Sequence, residues 1–226
     1  MRIEPLGDAA LLVRLGEESE AEQSLDAVLQ ATRRLELAQI RGVLDLVPAY
    51  TTIGVFFDPA QTGTLDELRM SIESALRRDS ASARTRADAT IEVPVCYEEE
   101  FAPDLGTVAQ HASLSPDEVI RRHAAANYRV SCVGFTPGFP YLSGLPPKLA
   151  TPRRASPRKE IPAGSVAIGG TQTGIYPRKS PGGWNIIGRT PLRLFDVERN
   201  PPALFEAGDR VRFRKISRQE FDAFAP

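Results

Sequence analysis

The chain has 226 residues, 28 basic and 29 acidic side chains and a formal charge of −1, with 42% apolar and 25% charged residues; this is ordinary globular composition and excludes wholesale disorder. Its apolar runs fall far short of the ~20 residues that span a bilayer, and Met1-Arg2-Ile3-Glu4-Pro5 does not open a secretory signal. Two cysteines, Cys96 and Cys132, are too few for a disulfide framework or a four-ligand zinc site. Both fall in strand-like runs as small buried hydrophobes, and a cytoplasmic location without membrane contact is expected.

In chain order, residues 2–14 read as two short strands around Gly7-Asp8. Ser19 with Glu22 is a capping-box pattern that opens a helix to about Leu37, with Leu25, Val28, Leu29, Thr32 and Leu35 on one face. Val43–Val47 and Thr52–Phe57 are β-rich, and Thr64 with Glu67 caps a second helix carrying Leu65, Leu68, Ile72 and Leu76. This predicts a small ββαββα domain over 1–78. Residues 79–88 are polar and aperiodic and read as a linker.

The remainder, 89–226, opens with a strand over Ala89–Tyr97, a short helix near Asp104–Ala112 and a helix capped by Ser115 and Glu118, with Val119, Ile120 and His123 on one face. A strand is predicted at Tyr128–Val133. Residues 134–190 hold 10 of the 17 glycines and 9 of the 19 prolines. Strand-like pieces at 165–169, 173–176, 184–188 and 192–196 sit between these breakers, Val211–Ile216 reads as a closing strand, and Ser217 with Glu220 caps a final short helix. The fold class is α+β, the second domain an irregular β-barrel or sandwich.

Charge divides the chain. Residues 1–100 carry 10 basic and 19 acidic side chains, whereas 148–226 carry 15 and 7. Either the two halves attract each other, or the charges are solvated faces, or the basic half receives an anion or an acidic partner. The neutral balance and the lack of a recognised module argue against nucleic-acid binding.

Common enzyme motifs are missing: there is no P-loop, dinucleotide fingerprint, nucleophile elbow, H-E-x-x-H or C-x-x-C. Gly169 and Gly174 have P-loop spacing, but Ile175 stands where lysine is needed. Two histidines exclude a His-rich metal site; His111 reads as a surface residue. His123 reads by default as a hydrogen-bonded core residue, with a general base or substrate donor as the alternative.

Three segments stand out. The run from Gly134 to Leu142 uses Pro137, Pro140 and Gly138 to stiffen a loop bearing Phe135, Phe139 and Tyr141, either a corner packed on the core or a wall of a pocket or partner groove. Arg153, Arg154, Arg158 and Lys159 place four cations in seven residues, either a solvated loop or a carboxylate or phosphate cradle. The run Gly169 to Trp184 offers Gln172, Thr173, Tyr176 and Ser180 as neutral hydrogen-bonding groups beside the one tryptophan, Trp184.

With the runs Gly7–Leu12, Val47–Tyr50, Ile91–Tyr97, Gly134–Leu145, Ala150–Ala155, Pro162–Val166, Gln172–Pro177 and Ser180–Phe195, nearly the whole chain resembles the family of bacterial 5-oxoprolinase B subunits. That family also takes in KipI-type sensor-kinase inhibitors and allophanate hydrolase subunit 1. The resemblance implies a cyclophilin-like β-barrel as the second domain. It implies two partners, the larger C subunit and the A subunit of the same complex, in the ATP-driven cleavage of 5-oxoproline to glutamate. Related domains form the carboxyltransferase part of biotin-dependent urea carboxylase. With 226 residues taken up by two domains, neither a biotin carrier nor carboxyl transfer by this chain alone is expected.

On this reading His123, Gln172 and Tyr176 orient the lactam. Arg153, Arg154 and Arg158, with Thr173 and Ser180, hold substrate or anion, and Phe135, Phe139, Tyr141 and Trp184 are apolar walls. No metal ligands are assigned, and ATP is used by the complex without necessarily touching this chain. The glycine- and proline-stiffened hairpins are expected to enclose a preformed hollow that a second polypeptide completes. A histidine-kinase inhibitor, an allophanate or urea-system subunit and, by fold analogy alone, a prolyl isomerase are the alternatives.

Overall fold

A computed structural model describes residues 1–17, 21–78 and 90–224. The Ser19 capping box and the 79–88 linker therefore lie outside the described residues. The chain divides into two units, Met1–Thr85 and Arg86–Pro226.

The first unit follows the expected ββαββα order: β1 (Arg2–Pro5), β2 (Ala10–Arg14), α1 (Ala21–Ala38), β3 (Val43–Ala49), β4 (Thr52–Phe57) and α2 (Leu65–Arg77). Its strands form one antiparallel sheet in the order β1-β2-β4-β3. Alternation along β4 sends Ile53, Val55 and Phe57 into a core with Leu11 and Val13 of β2, Val28, Ala31 and Leu35 of α1, and Leu68 and Ile72 of α2. Thr64 and Glu67 form the predicted reciprocal cap of α2.

The second unit runs β5 (Thr90–Cys96), α3 (Leu105–Ala112), α4 (Pro116–Ala125), β6 (Tyr128–Val133), β7 (Pro140–Ser143), β8 (Arg158–Ile161), β9 (Ser165–Gly169), β10 (Gln172–Ile175), β11 (Ser180–Gly182), β12 (Asn185–Arg189), β13 (Arg210–Ile216) and α5 (Arg218–Ala223). Seven strands close into a barrel in the order β10-β7-β6-β13-β5-β12-β9, and β8 and β11 form a separate two-stranded ribbon. The last strand, β13, lies parallel to β5 over seven residue pairs and antiparallel to β6.

The barrel interior is filled. Val93, Val130, Leu142, Val166, Ile168, Ile175, Ile187, Val211 and Phe213 meet there with Val108 of α3 and with Val119 and Ile120 of α4. Every residue of β9 is buried, because its outward residue Ala167 lies in a second apolar cluster with Ile161 of β8, Ile186, Phe139, Tyr176 and Trp184. Residues 192–196 form no strand; Phe195 makes only an isolated bridge to Ala203. Pro191 before this run and Pro201-Pro202 opposite it cannot donate ladder hydrogen bonds. The hairpins of the second half carry a packed aromatic layer.

Candidate functional site

Register along β10 sorts the candidate residues onto two faces. Gly174 pairs with Tyr141 and Ala167, and Gln172 with Gly169, so these share the outer face of the barrel. Thr173 faces the interior, where it meets His123.

His123 is wholly buried. Its ring stacks on Phe213 at 4.5 Å between centroids, and both nitrogens are occupied: Nδ1 lies 2.8 Å from the Tyr97 hydroxyl and Nε2 3.1 Å from Thr173 Oγ1. The Thr173 hydroxyl donates its only hydrogen to the Ala167 carbonyl at 3.0 Å. It must therefore accept from Nε2–H, which makes Nδ1 the acceptor of the Tyr97 hydroxyl. Burial pushes the His123 pKa down to about 3 and the Tyr97 hydroxyl well up. His123 and Thr173 together form a neutral hydrogen-bond chain inside the barrel, in keeping with the default reading of His123 as a hydrogen-bonded core residue.

On the outer face, Phe139, Tyr141, Tyr176 and Trp184 form one aromatic cluster, with centroid distances of 4.8 Å for Phe139–Tyr141, 5.2 Å for Phe139–Tyr176 and 5.7 Å for Phe139–Trp184. Glycines make the space. A Cβ on Gly169 would lie 2.5 Å from the indole of Trp184, and one on Gly174 2.9 Å from the ring of Phe139. Tyr176 is buried within this cluster. Phe139 is buried at the base of the cluster.

Phe135 is different. It is 63% exposed, adopts φ of 62° and sits at the centre of a γ-turn closed by Thr136 N–H donating to the Gly134 carbonyl. This conformation is strained for a bulky residue.

The basic segment 153–159 is split by one residue that the sequence marks only as a helix start. Asp104, buried just before α3, accepts Arg154 Nη1 at 2.8 Å and both terminal nitrogens of Arg158 at 2.7 and 2.9 Å. The same carboxylate accepts the Ile186 backbone N–H at 2.8 Å. Arg154 and Arg158 thus clamp the start of α3 to β8 and β12 through Asp104. Two guanidiniums around one carboxylate still leave positive charge in excess. Arg153 is exposed and lies over the Trp184 ring, 5.8 Å from its centroid. In the second unit, three buried polar atoms have no partner among the described residues: Arg154 Nε, Ser180 Oγ and Thr136 Oγ1. The first two belong to candidates read from the sequence; Thr136 does not.

The P-loop-like spacing of Gly169 and Gly174 falls on the β9–β10 hairpin, with Trp184 and Phe139 against the two glycines. That is not a strand-to-helix loop with free amides. Among the described residues no cluster of three histidine, cysteine, aspartate or glutamate side chains is placed to hold a metal, and no helix is long and apolar enough to cross a membrane.

A filled barrel with a cation-and-aromatic outer face, preceded by a small α/β unit, has close counterparts. The family model "Carboxyltransferase domain, subdomain C and D" matches residues 1–205. The chain is 41% identical to the 5-oxoprolinase B subunit of Bacillus subtilis (strain 168), over 99% of its own length and 96% of that protein. It is 42% identical to the 5-oxoprolinase B subunit of Escherichia coli O157:H7, over 78% and 80%. The crystal structure of TTHA0988 superposes with a TM-score of 0.79 at 36% identity, covering 92% of this chain; the chain spans 40% of the length of TTHA0988. The chain therefore belongs to the carboxyltransferase subdomain C and D family and, within it, to the group of 5-oxoprolinase B subunits.

Proposed function

We propose that the chain is the B subunit of a cytoplasmic, ATP-dependent 5-oxoprolinase, acting with the C and A subunits of that complex to open 5-oxoproline to glutamate. The observation that carries this reading is identity of 41% along 96% of the Bacillus subtilis protein. The chemistry explains the need for partners. A five-membered lactam is a poor electrophile, and phosphorylation of its oxygen makes ring opening feasible at a site that holds anions and excludes water. This chain offers a rigid surface of aromatic rings and an exposed guanidinium. Its barrel histidine is enclosed and held neutral. Proton transfer and ATP binding are assigned to the partners.

Reconstitution from the separately purified subunits tests the reading. ATP-dependent glutamate release is expected only when this chain is mixed with homologues of both the C and the A subunits. Release by this chain alone, or unchanged release when it is omitted, overturns the proposal. The same mixture supplied with urea or allophanate in place of 5-oxoproline tests the urea-system alternative.

A further inference from the structure

We propose that Arg153, lying over Trp184, is the cation that binds the carboxylate of the substrate, a small carboxylate-bearing lactam, with Tyr141 and Gln172 on the same outer face beside the ring. The inference rests on the lactam-opening reading above and adds the subsite and its ligand chemistry.

Of the three arginines in the basic segment, Arg154 and Arg158 are bound to Asp104. Arg153 has no ion pair among the described residues and is exposed. Its guanidinium lies over an indole, 5.8 Å from the ring centroid. A guanidinium lying on an aromatic face keeps its in-plane N–H fork free, the edge that meets a carboxylate through two parallel hydrogen bonds.

The platform beneath is rigid. Trp184 is seated against Gly169 and packs edge-to-face on Phe139 and Tyr141 at 5.7 and 5.8 Å. The unneutralised charge of the Asp104 clamp adds a favourable field for an anion. A site of this kind distinguishes a carboxylated lactam from the bare ring, which offers nothing to the fork.

Trp184 is the one tryptophan of the chain, so its emission reports on this site. The full chain is titrated with 5-oxoproline, with 2-pyrrolidinone (the same ring without the carboxylate) and with inorganic phosphate. A saturable change with 5-oxoproline alone is expected. In Arg153→Ala and Arg153→Gln the affinity should fall about tenfold or more, the loss of one charge-assisted pair. Lys159→Ala, which removes a cation from the same segment, should leave it unchanged. An equal response to 2-pyrrolidinone, a response that survives both Arg153 substitutions, an equal loss in Lys159→Ala, or no response overturns the assignment. Tighter binding of phosphate also overturns it and makes the site one for a phosphoryl group. The glutamate-release assay judges the parent reading separately: an active three-component mixture with a flat titration sinks only the Arg153 site, and a carboxylate-dependent titration with an inactive mixture sinks only the lactam-opening reading.

Discussion

His123 Nε2 stands 3.1 Å from Thr173 Oγ1, a residue fifty positions further along the chain, and the bond ties α4 to the inner face of β10. The imidazole there is neutral, with its folded pKa pushed down to about 3 by burial, whereas in the unfolded chain it titrates near ~6.5. Between these values the unfolded state binds a proton that the folded state refuses. Stability therefore falls as pH drops from about 6.5, by up to ~1.4 kcal/mol per unit. The stabilised carboxylate of Glu118, lowered to about 2 by its hydrogen bonds to Arg121 and Arg122, is lost only below the ordinary carboxylate range, so the window from about pH 5 to 6.5 isolates the histidine. In urea unfolding across that window, His123→Gln should show a flatter pH dependence than the wild type. Parallel curves would mean that the ring is not buried neutral.

Asp104→Asn should destabilise the second unit by about 3 kcal/mol, because it leaves two partly buried guanidiniums without their counter-charge. Urea unfolding followed by Trp184 emission measures it. A loss below about 0.5 kcal/mol, as for an exposed pair, would show that the clamp with Arg154 and Arg158 does not hold the 153–158 segment.

Phe135 and Phe139 are neighbours of the same chemistry with opposite expectations. Phe139→Ala should cost about 3–5 kcal/mol, as a buried aromatic truncation does. Phe135→Gly removes an exposed ring and relieves a left-handed backbone conformation, so its net effect should stay within about 1 kcal/mol. Thermal or urea unfolding of both variants gives the comparison, and equal losses would refute it.

Gly169→Ala places a methyl group where the Trp184 indole lies, 2.5 Å away. Overpacking of this kind should cost about 1–3 kcal/mol and shift the Trp184 emission. An unshifted spectrum would show that the indole is not seated on that glycine.

Much of the architecture was legible in the sequence, because alternation at Ile53, Val55 and Phe57 and the caps at Thr64, Ser115 and Ser217 are local signals. The strands β7, β8 and β11 were not separately legible: they are three or four residues long and carry proline or follow it closely, which masks period-two patterning. The site was legible as segments but not as roles. Arg153, Arg154 and Arg158 look alike in a row, and only the fold brings Asp104 to two of them from fifty and fifty-four residues away. Composition marked His123 as a candidate, yet its enclosure depends on Tyr97 and Thr173, twenty-six and fifty residues distant.

Strand β13 fills the gap between β5 and β6, so the barrel is sealed by the last of its strands in chain order. During synthesis at the ribosome, β5 and β6 must wait with unpaired edges until residues 210–216 emerge. A nascent or truncated product ending before that segment presents two unpaired strand borders to its neighbours.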